Sequence, residues 1–268
     1  MITSTAAHTL GMGSTGVVVT TSDPAHVHKR VKNLEDSGGV SAEVARELAV
    51  MAHFSAPDAG HPHILPCLDV AASHELAVLK LPRLQCSLWE MLHETKVDVL
   101  GGEVAHDISS ALVKMHALAF THGDVKTQNI LFDGERFVLA DFGLAAPRSP
   151  SAASGVLTTI WYRAPELLEA GTGVLQGDGR PGPHSDMWSM GCVLGEVVGK
   201  RAMFPGKSRA VTLRMIKQWL GTQHHPERLG TTRAVGEIIL GCLQRNPAER
   251  HSAASVCMLA MAEGHATP

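Results

Sequence analysis

The sequence predicts an α+β fold in two unequal lobes: a small β-rich lobe with one helix over residues 1–82, and a larger, mainly helical lobe over residues 83–268. Three observations predict it. Short runs rich in β-branched residues, Gly16–Thr21 and Ala77–Leu81, flank a single helical stretch in the first part of the chain. From Ser87 onward apolar residues recur at helical spacing, with Ile108, Leu112 and Met115 on one stripe. Between the two regimes lies a short polar join, Leu81–Ser87.

The elements follow in order. Gly11-Met-Gly13-Ser-Thr-Gly16-Val-Val18 reads as a glycine-rich turn opening into the strand Val17–Thr21. A dinucleotide-binding fold needs a helix after the last glycine, and the β-branched run there argues against it. Ser41–Phe54 carries Val44, Leu48 and Met51 at helical spacing, with Ser41 and Glu47 suiting a first-turn region. Helices are expected over Leu88–His93 and Val104–Leu118. Pro147–Gly155 reads as a loop and Gly171–Pro183 as an exposed Gly/Pro-rich insertion. Met187–Gly199, apolar apart from Glu196, reads as a buried helix.

Composition excludes several classes. With 268 residues, 44% apolar and 18% charged, the chain can bury a core. A net charge of −3 supplies no basic field for nucleic acid or an anionic membrane. Five scattered Cys without a Cys-x-x-Cys pair point to reduced thiols, hence a cytoplasmic or nuclear setting, and no signal peptide or membrane span is evident. Sixteen His include His61-x-His63 and His224-His225, but these lie in Pro-containing segments without Cys or acidic neighbours at zinc spacing, which favours ordinary loop histidines.

The chemistry concentrates in His122-Gly-Asp-Val-Lys-Thr-Gln-Asn129. Asp124 offers a carboxylate to orient a hydroxyl and accept its proton, Lys126 offers charge to a transferring phosphate, and Asn129 offers an oxygen to a divalent metal. Asp141, opening Asp141-Phe142-Gly143 twelve residues after Asn129, is a second metal-ligand acid. The ordered pair of motifs points to phosphoryl transfer.

These motifs resemble the catalytic loop and Asp-Phe-Gly motif of protein kinases. Thr159-Ile-Trp161-Tyr162-Arg163-Ala-Pro-Glu166, Asp186-Met-Trp188-Ser189-Met-Gly191 and Met203-Phe-Pro-Gly206 resemble the cyclin-dependent and mitogen-activated group. The resemblance implies one bilobal protein kinase domain over residues 1–268, using ATP and Mg2+ to phosphorylate a protein on Ser or Thr. It implies that Lys29 positions the ATP phosphates and pairs with Glu47 (Glu43 being the alternative), while Leu10, Gly11, Gly13, Gly16, Val18 and Val27 line the nucleotide. Lys32 is the alternative to Lys29, with Arg30 as its poor face-mate. It assigns Asp124, Lys126 and Thr159 to catalysis, and Asn129 and Asp141 to the metal. It further implies that Glu166 pairs with Arg250, that Asp186 caps the catalytic-loop backbone, and that Arg163 helps select proline after the acceptor.

Gly123 stands where the family usually has Arg. Small-molecule phosphotransferases share that His-Gly-Asp spelling but lack the elements at 159–166 and 186–191. The missing Arg normally grips an activating phosphate, so control through a residue such as Ser154 is expected to be weak. Leu81–Leu88 resembles the hinge of herpesvirus-encoded Ser/Thr kinases, which would place the protein in a host cell. A catalytically silent scaffold is the rival from another class; the residues indicate no cyclin-like partner, though one remains compatible with the family.

Overall fold

The structure is a computed structural model that describes residues 8–12, 16–32, 42–56, 60–73, 76–147, 160–170 and 181–264. Gly13, Ser154, Thr159 and most of the 171–183 segment therefore lie outside the described residues.

The small lobe is an antiparallel sheet of β1 (Thr9–Met12), β2 (Val17–Thr20), β3 (His26–Lys32), β4 (Asp69–Ala72) and β5 (Leu76–Pro82), in the order β1-β2-β3-β5-β4. In β5 buried and half-buried residues alternate: Ala77, Leu79 and Leu81 face the core between Leu76, Val78, Lys80 and Pro82. β3 alternates in step, so Val27, Lys29 and Val31 share the covered face while Arg30 faces solvent. A lysine thus sits on the apolar face of a sheet, where its charge requires partners.

Helix α1 (Ala42–Ser55) packs Val44, Glu47, Met51 and Phe54 inward, a spacing of three or four residues that places a carboxylate on the same buried stripe. It runs one residue beyond the predicted Phe54. The chain crosses into the large lobe through β6 (Cys86–Ser87) and α2 (Leu88–Glu90). Ser87 and Glu90 form a capping box, each satisfying a backbone N–H near the other residue.

The helix predicted over Leu88–His93 does not continue as α-helix: Met91–Thr95 widens into a π-helical turn that ends on Lys96 at φ +54°. Thr95 Oγ1 and the Val97 N–H both donate to the Met91 carbonyl, holding the wide turn. That turn sets His93 Nε2 2.7 Å from Glu196 Oε1, which apolar periodicity alone does not signal.

Helix α3 (Gly101–Ala117) begins three residues before the predicted start and buries Val104, Ile108, Ala111, Leu112 and Met115. After β7 (Phe120–Thr121), β8 (Ile130–Phe132) and β9 (Phe137–Leu139) form a hairpin beside β6, and β10 (Ala146–Pro147) returns to pair with β7. The remaining described chain is helical: α4 (Pro165–Glu169), α5 (Pro183–Gly199), α6 (Arg209–Leu220), α7 (Arg233–Cys242) and α8 (Ala253–Gly264). Helix α5 starts four residues ahead of the predicted Met187, because Pro183 occupies its first turn, where a missing N–H costs nothing. Trp188 at its centre is fully buried and stacks on Phe204 at 6.1 Å between ring centroids. The five cysteines are free thiols. Among the described residues no helix is long and apolar enough to cross a membrane.

Candidate active site

The site begins with the charge that β3 buries. Lys29 Nζ donates to Glu47 Oε1 at 2.5 Å and to Asp141 Oδ1 at 2.7 Å, joining β3, α1 and the segment after β9. Burial alone lowers an ammonium, but the facing Asp141 and Glu47 carboxylates hold Lys29 above its ordinary value. Burial likewise works to raise Asp141, yet Lys29, with smaller help from His122 and Lys126, keeps its carboxyl below the usual range. Glu47 is more deeply buried and its carboxyl is pushed up despite Lys29. Asp141 has φ +63°, a left-handed conformation that short polar side chains tolerate and that recurs at functional sites.

Around this triad, the strands place the other expected nucleotide contacts. Val18 pairs with Lys29 and Gly11 with Val18 in the sheet register. Val27 lies two residues before Lys29 on the same covered face, and Leu10 and Gly11 are exposed on β1. A Cβ on Gly16 would run into the Arg30 carbonyl, so the close approach of the turn to β3 requires glycine there.

The catalytic-loop candidates converge from the short segment between β7 and β8. Lys126 Nζ donates to Asp124 Oδ2 at 2.6 Å, and Asn129 Nδ2 donates to the same oxygen at 3.0 Å and to the Asp124 carbonyl at 2.9 Å. Asp124 is buried, and among the described residues the Asn129 amide is seen bonding only through Nδ2, which leaves its carbonyl oxygen for another partner. His122 props the loop from within: its Nδ1 accepts the Asp124 N–H at 3.2 Å, so Nε2 carries the proton and donates to the Ala140 carbonyl at 3.1 Å. Its ring meets Phe142 edge-on at 5.4 Å.

From below, Asp186 at the start of α5 accepts the backbone N–H groups of His122 and Gly123, each at 2.9 Å, and faces His116 Nε2 at 2.9 Å. Gly123 has φ +79°, and a Cβ there would come within 3.1 Å of the Leu144 carbonyl. The two positions lock the loop backbone against the segment that follows Asp141.

Beyond the loop, the buried Tyr162 hydroxyl meets Thr127 Oγ1 at 3.0 Å, and Arg163 follows it in the chain. Burial first and Arg209 second lower the Arg163 guanidinium, partly countered by Asp124, which places the two in one electrostatic neighbourhood. Glu166 and Arg250 form a two-pronged pair, Nη1–Oε1 and Nη2–Oε2 both at 2.7 Å, with the Arg250 side chain wholly buried. Arg250 also lies over the Trp188 ring at 5.1 Å.

Of the residues singled out from sequence, the structure brings together Lys29, Glu47, Asp124, Lys126, Asn129 and Asp141; Gly13 and Thr159 lie outside the described residues. Sequence reasoning missed Glu196. Its Oε2 accepts the Tyr162 hydroxyl at 2.5 Å and its Oε1 faces His93, so one buried acid in α5 fixes the tyrosine beside Arg163. Burial, then Glu196, push the Tyr162 hydroxyl up, keeping it a neutral donor. A lone acid in an otherwise apolar helix was the available signal.

The donor set suits a phosphate-bound hard cation: Lys29 favours the ionised form of Asp141, and the Asn129 side-chain carbonyl, unpaired among the described residues, supplies a neutral oxygen. The protein kinase domain family matches residues 4–260. Cell division control protein 2 homolog 2 of Trypanosoma brucei brucei is 32% identical over 234 residues, which are 83% of this chain and 64% of that protein. A probable cell division protein kinase of Encephalitozoon cuniculi is 28% identical over 84% of this chain and 83% of its own length. Cyclin-dependent kinase 4 of Mus musculus is 31% identical over 79% of this chain and 73% of its own. The chain thus spans just under two thirds of the first of these relatives. The likeness of Leu81–Leu88 to herpesvirus-encoded kinases is not carried by these three.

Proposed function

The chain belongs to the protein kinase domain family and carries a domain of the serine/threonine type, and we propose that it transfers the γ-phosphate of ATP to a serine or threonine hydroxyl of a protein substrate. The observation that carries this is the assembled state of the site: Lys29 already bridges Glu47 and Asp141, and Asp124 already holds Lys126 and Asn129.

Asp124 is the base. It orients the acceptor hydroxyl and takes its proton, and its contact with Lys126 holds the carboxylate in place beside the reacting phosphate. Lys126 then offers its ammonium to the charge that develops on the transferring group. Lys29, fixed by Glu47, holds the phosphates of the nucleotide in line with Asp124. Asn129 and Asp141 are the residues that would hold Mg2+, which when bound neutralises phosphate charge. Little covalent work falls to the protein; positioning and electrostatics dominate.

Two finer readings follow. Arg163, half-buried beside Tyr162 and Asp124, supports a preference for proline after the acceptor. Gly123, in a left-handed conformation closed against Leu144, supports activity without an activating phosphate, because the loop is held by Asp186 and has no arginine to grip one. Incubating the purified chain with Mg·ATP and an arrayed set of Ser/Thr peptides tests the proline reading and the transfer itself. Transfer to peptides without Pro, at rates equal to those with Pro, would remove the proline reading; no transfer to any peptide or protein would remove the enzyme reading.

A further inference from the structure

We propose that His63, His106 and Asp107 form a site for a divalent transition metal, most simply Zn2+, separate from the phosphate-binding centre. One ligand atom from each residue lies within 4.8 Å of the others. The residues come from different parts of the chain: His63 from the turn after α1, and His106 with Asp107 from the first half of α3. His61-x-His63 has no acid at zinc spacing along the chain, and the fold supplies one from α3.

The hydrogen bonds decide what the cluster wants. His63 Nδ1 lies 2.9 Å from the Phe137 carbonyl, which only accepts, so Nδ1 carries the proton. In the neutral ring, Nε2 then points a bare lone pair at Asp107 Oδ1, 3.6 Å away. The other oxygen of Asp107, Oδ2, is fixed by the Phe137 N–H at 2.9 Å. His106 Nδ1 approaches the same Oδ1 at 2.9 Å. Without metal, a proton on His106 Nδ1 satisfies Asp107 Oδ1, and the His63 Nε2 lone pair is left facing the carboxylate; a cation set among the three atoms takes that lone pair and Oδ1 as ligands, with the deprotonated His106 nitrogen as the third.

Zinc fits the donor set. Two imidazoles and a carboxylate are ordinary zinc ligands, and tetrahedral bonds of about 2.0–2.1 Å put ligand atoms roughly 3.3 Å apart. The distances of 2.9 and 3.6 Å bracket that edge. His106, whose side chain is 35% exposed, can turn to close the third edge and leaves the fourth position to water. The backbone of Phe137 grips both Asp107 and His63, the second-layer support that orients metal ligands. His61 is not a ligand: its Nε2 is turned to Ser110 Oγ at 3.3 Å. The occupied site would tie the turn after α1 to α3 and to β9, four residues before Asp141 begins its contact with Lys29.

The test uses the full chain, stripped with a chelator and titrated with Zn2+ by calorimetry, and with Co2+ by visible absorption. The expected result is about one equivalent bound, with the intense visible bands of tetrahedral Co2+. His106→Ala, at a half-exposed position, is expected to fold normally and lose at least about tenfold in affinity; Asp107→Asn is expected to lose the same, and His61→Ala to bind as the parent does. Failure of the parent chain to take up an equivalent, or equal binding by parent and His106→Ala, overturns the site. Loss in His61→Ala with retention in His106→Ala overturns the ligand set.

Discussion

Lys29 and Glu47 meet at 2.5 Å in the interior, their side chains only 10% and 3% exposed, and the contact spans from a strand of the small sheet to the helix beside it. Neither charge is stable there without the other. Asp141 at 2.7 Å completes the set and links the small lobe to the catalytic loop.

Replacing Lys29 by Met removes the ammonium that bridges the Glu47 and Asp141 carboxylates. We expect phosphotransfer to fall by at least roughly 10²–10³-fold. The chain should stay folded while losing about 3 kcal/mol, part of which Lys29→Met with Glu47→Gln recovers without restoring activity. Urea denaturation together with a kinase assay checks both; near-parental turnover in Lys29→Met contradicts the assignment.

Acid should disarm the site through Glu47 before Asp141. Glu47 is raised above its ordinary value of 4.5, so on falling pH it protonates first, and does so above 4.5, releasing Lys29 while Asp141 is still ionised. A raised carboxyl favours the folded state at low pH, so this step costs activity and not stability; Asp141, lowered from 3.8, contributes stability above that value that is lost only as pH falls through its lower folded pKa. The pH profile of kcat/KM for ATP is therefore predicted to fall above 4.5 while thermal stability persists. Simultaneous loss of both would contradict it.

The Glu166–Arg250 pair is structural. Arg250 has no exposed side-chain surface, so Glu166→Ala strands a buried guanidinium and should cost about 3–5 kcal/mol. The urea midpoint is expected to drop at unchanged slope. A shift below about 0.5 kcal/mol, as for ordinary surface changes, contradicts the account.

Gly123 is predicted to resist substitution. At φ +79°, with the Leu144 carbonyl 3.1 Å from the added Cβ, Gly123→Ala should lose about 1–2 kcal/mol and some activity. Phosphatase treatment of the parent chain should leave its rate unchanged. A large activity gain on phosphorylation at Ser154 would count against this.

Much of the site was legible because motif residues meet through backbone geometry that short segments encode. Lys29 and Val27 share a face at strand period, and Glu47 sits on the apolar stripe of its helix, so their meeting follows once the two elements pack. Asp186 and Arg250 were reached only through the resemblance to protein kinases, each from a distinctive local motif. What periodicity could not show were contacts made by irregular backbone or by distant chain. The π-helical turn at Met91–Thr95 breaks the helical pattern to carry His93 to Glu196, and Asp107 reaches His63 only through packing of α3 beside β9. Helix starts were read late at Gly101 and Pro183, where glycine and proline look like loop residues but suit a first turn.

The most direct test of the central claim is γ-phosphate transfer from labelled ATP to a protein substrate by the parent chain and by Asp124→Asn, both with Mg2+. Asp124 accepts from Lys126 and Asn129, so the substitution retains shape but loses the base. The account predicts labelled phosphoserine or phosphothreonine from the parent, and a loss of roughly 10²–10⁴-fold in Asp124→Asn with its thermal stability kept. Equal incorporation by both proteins, or none by the parent, would contradict it.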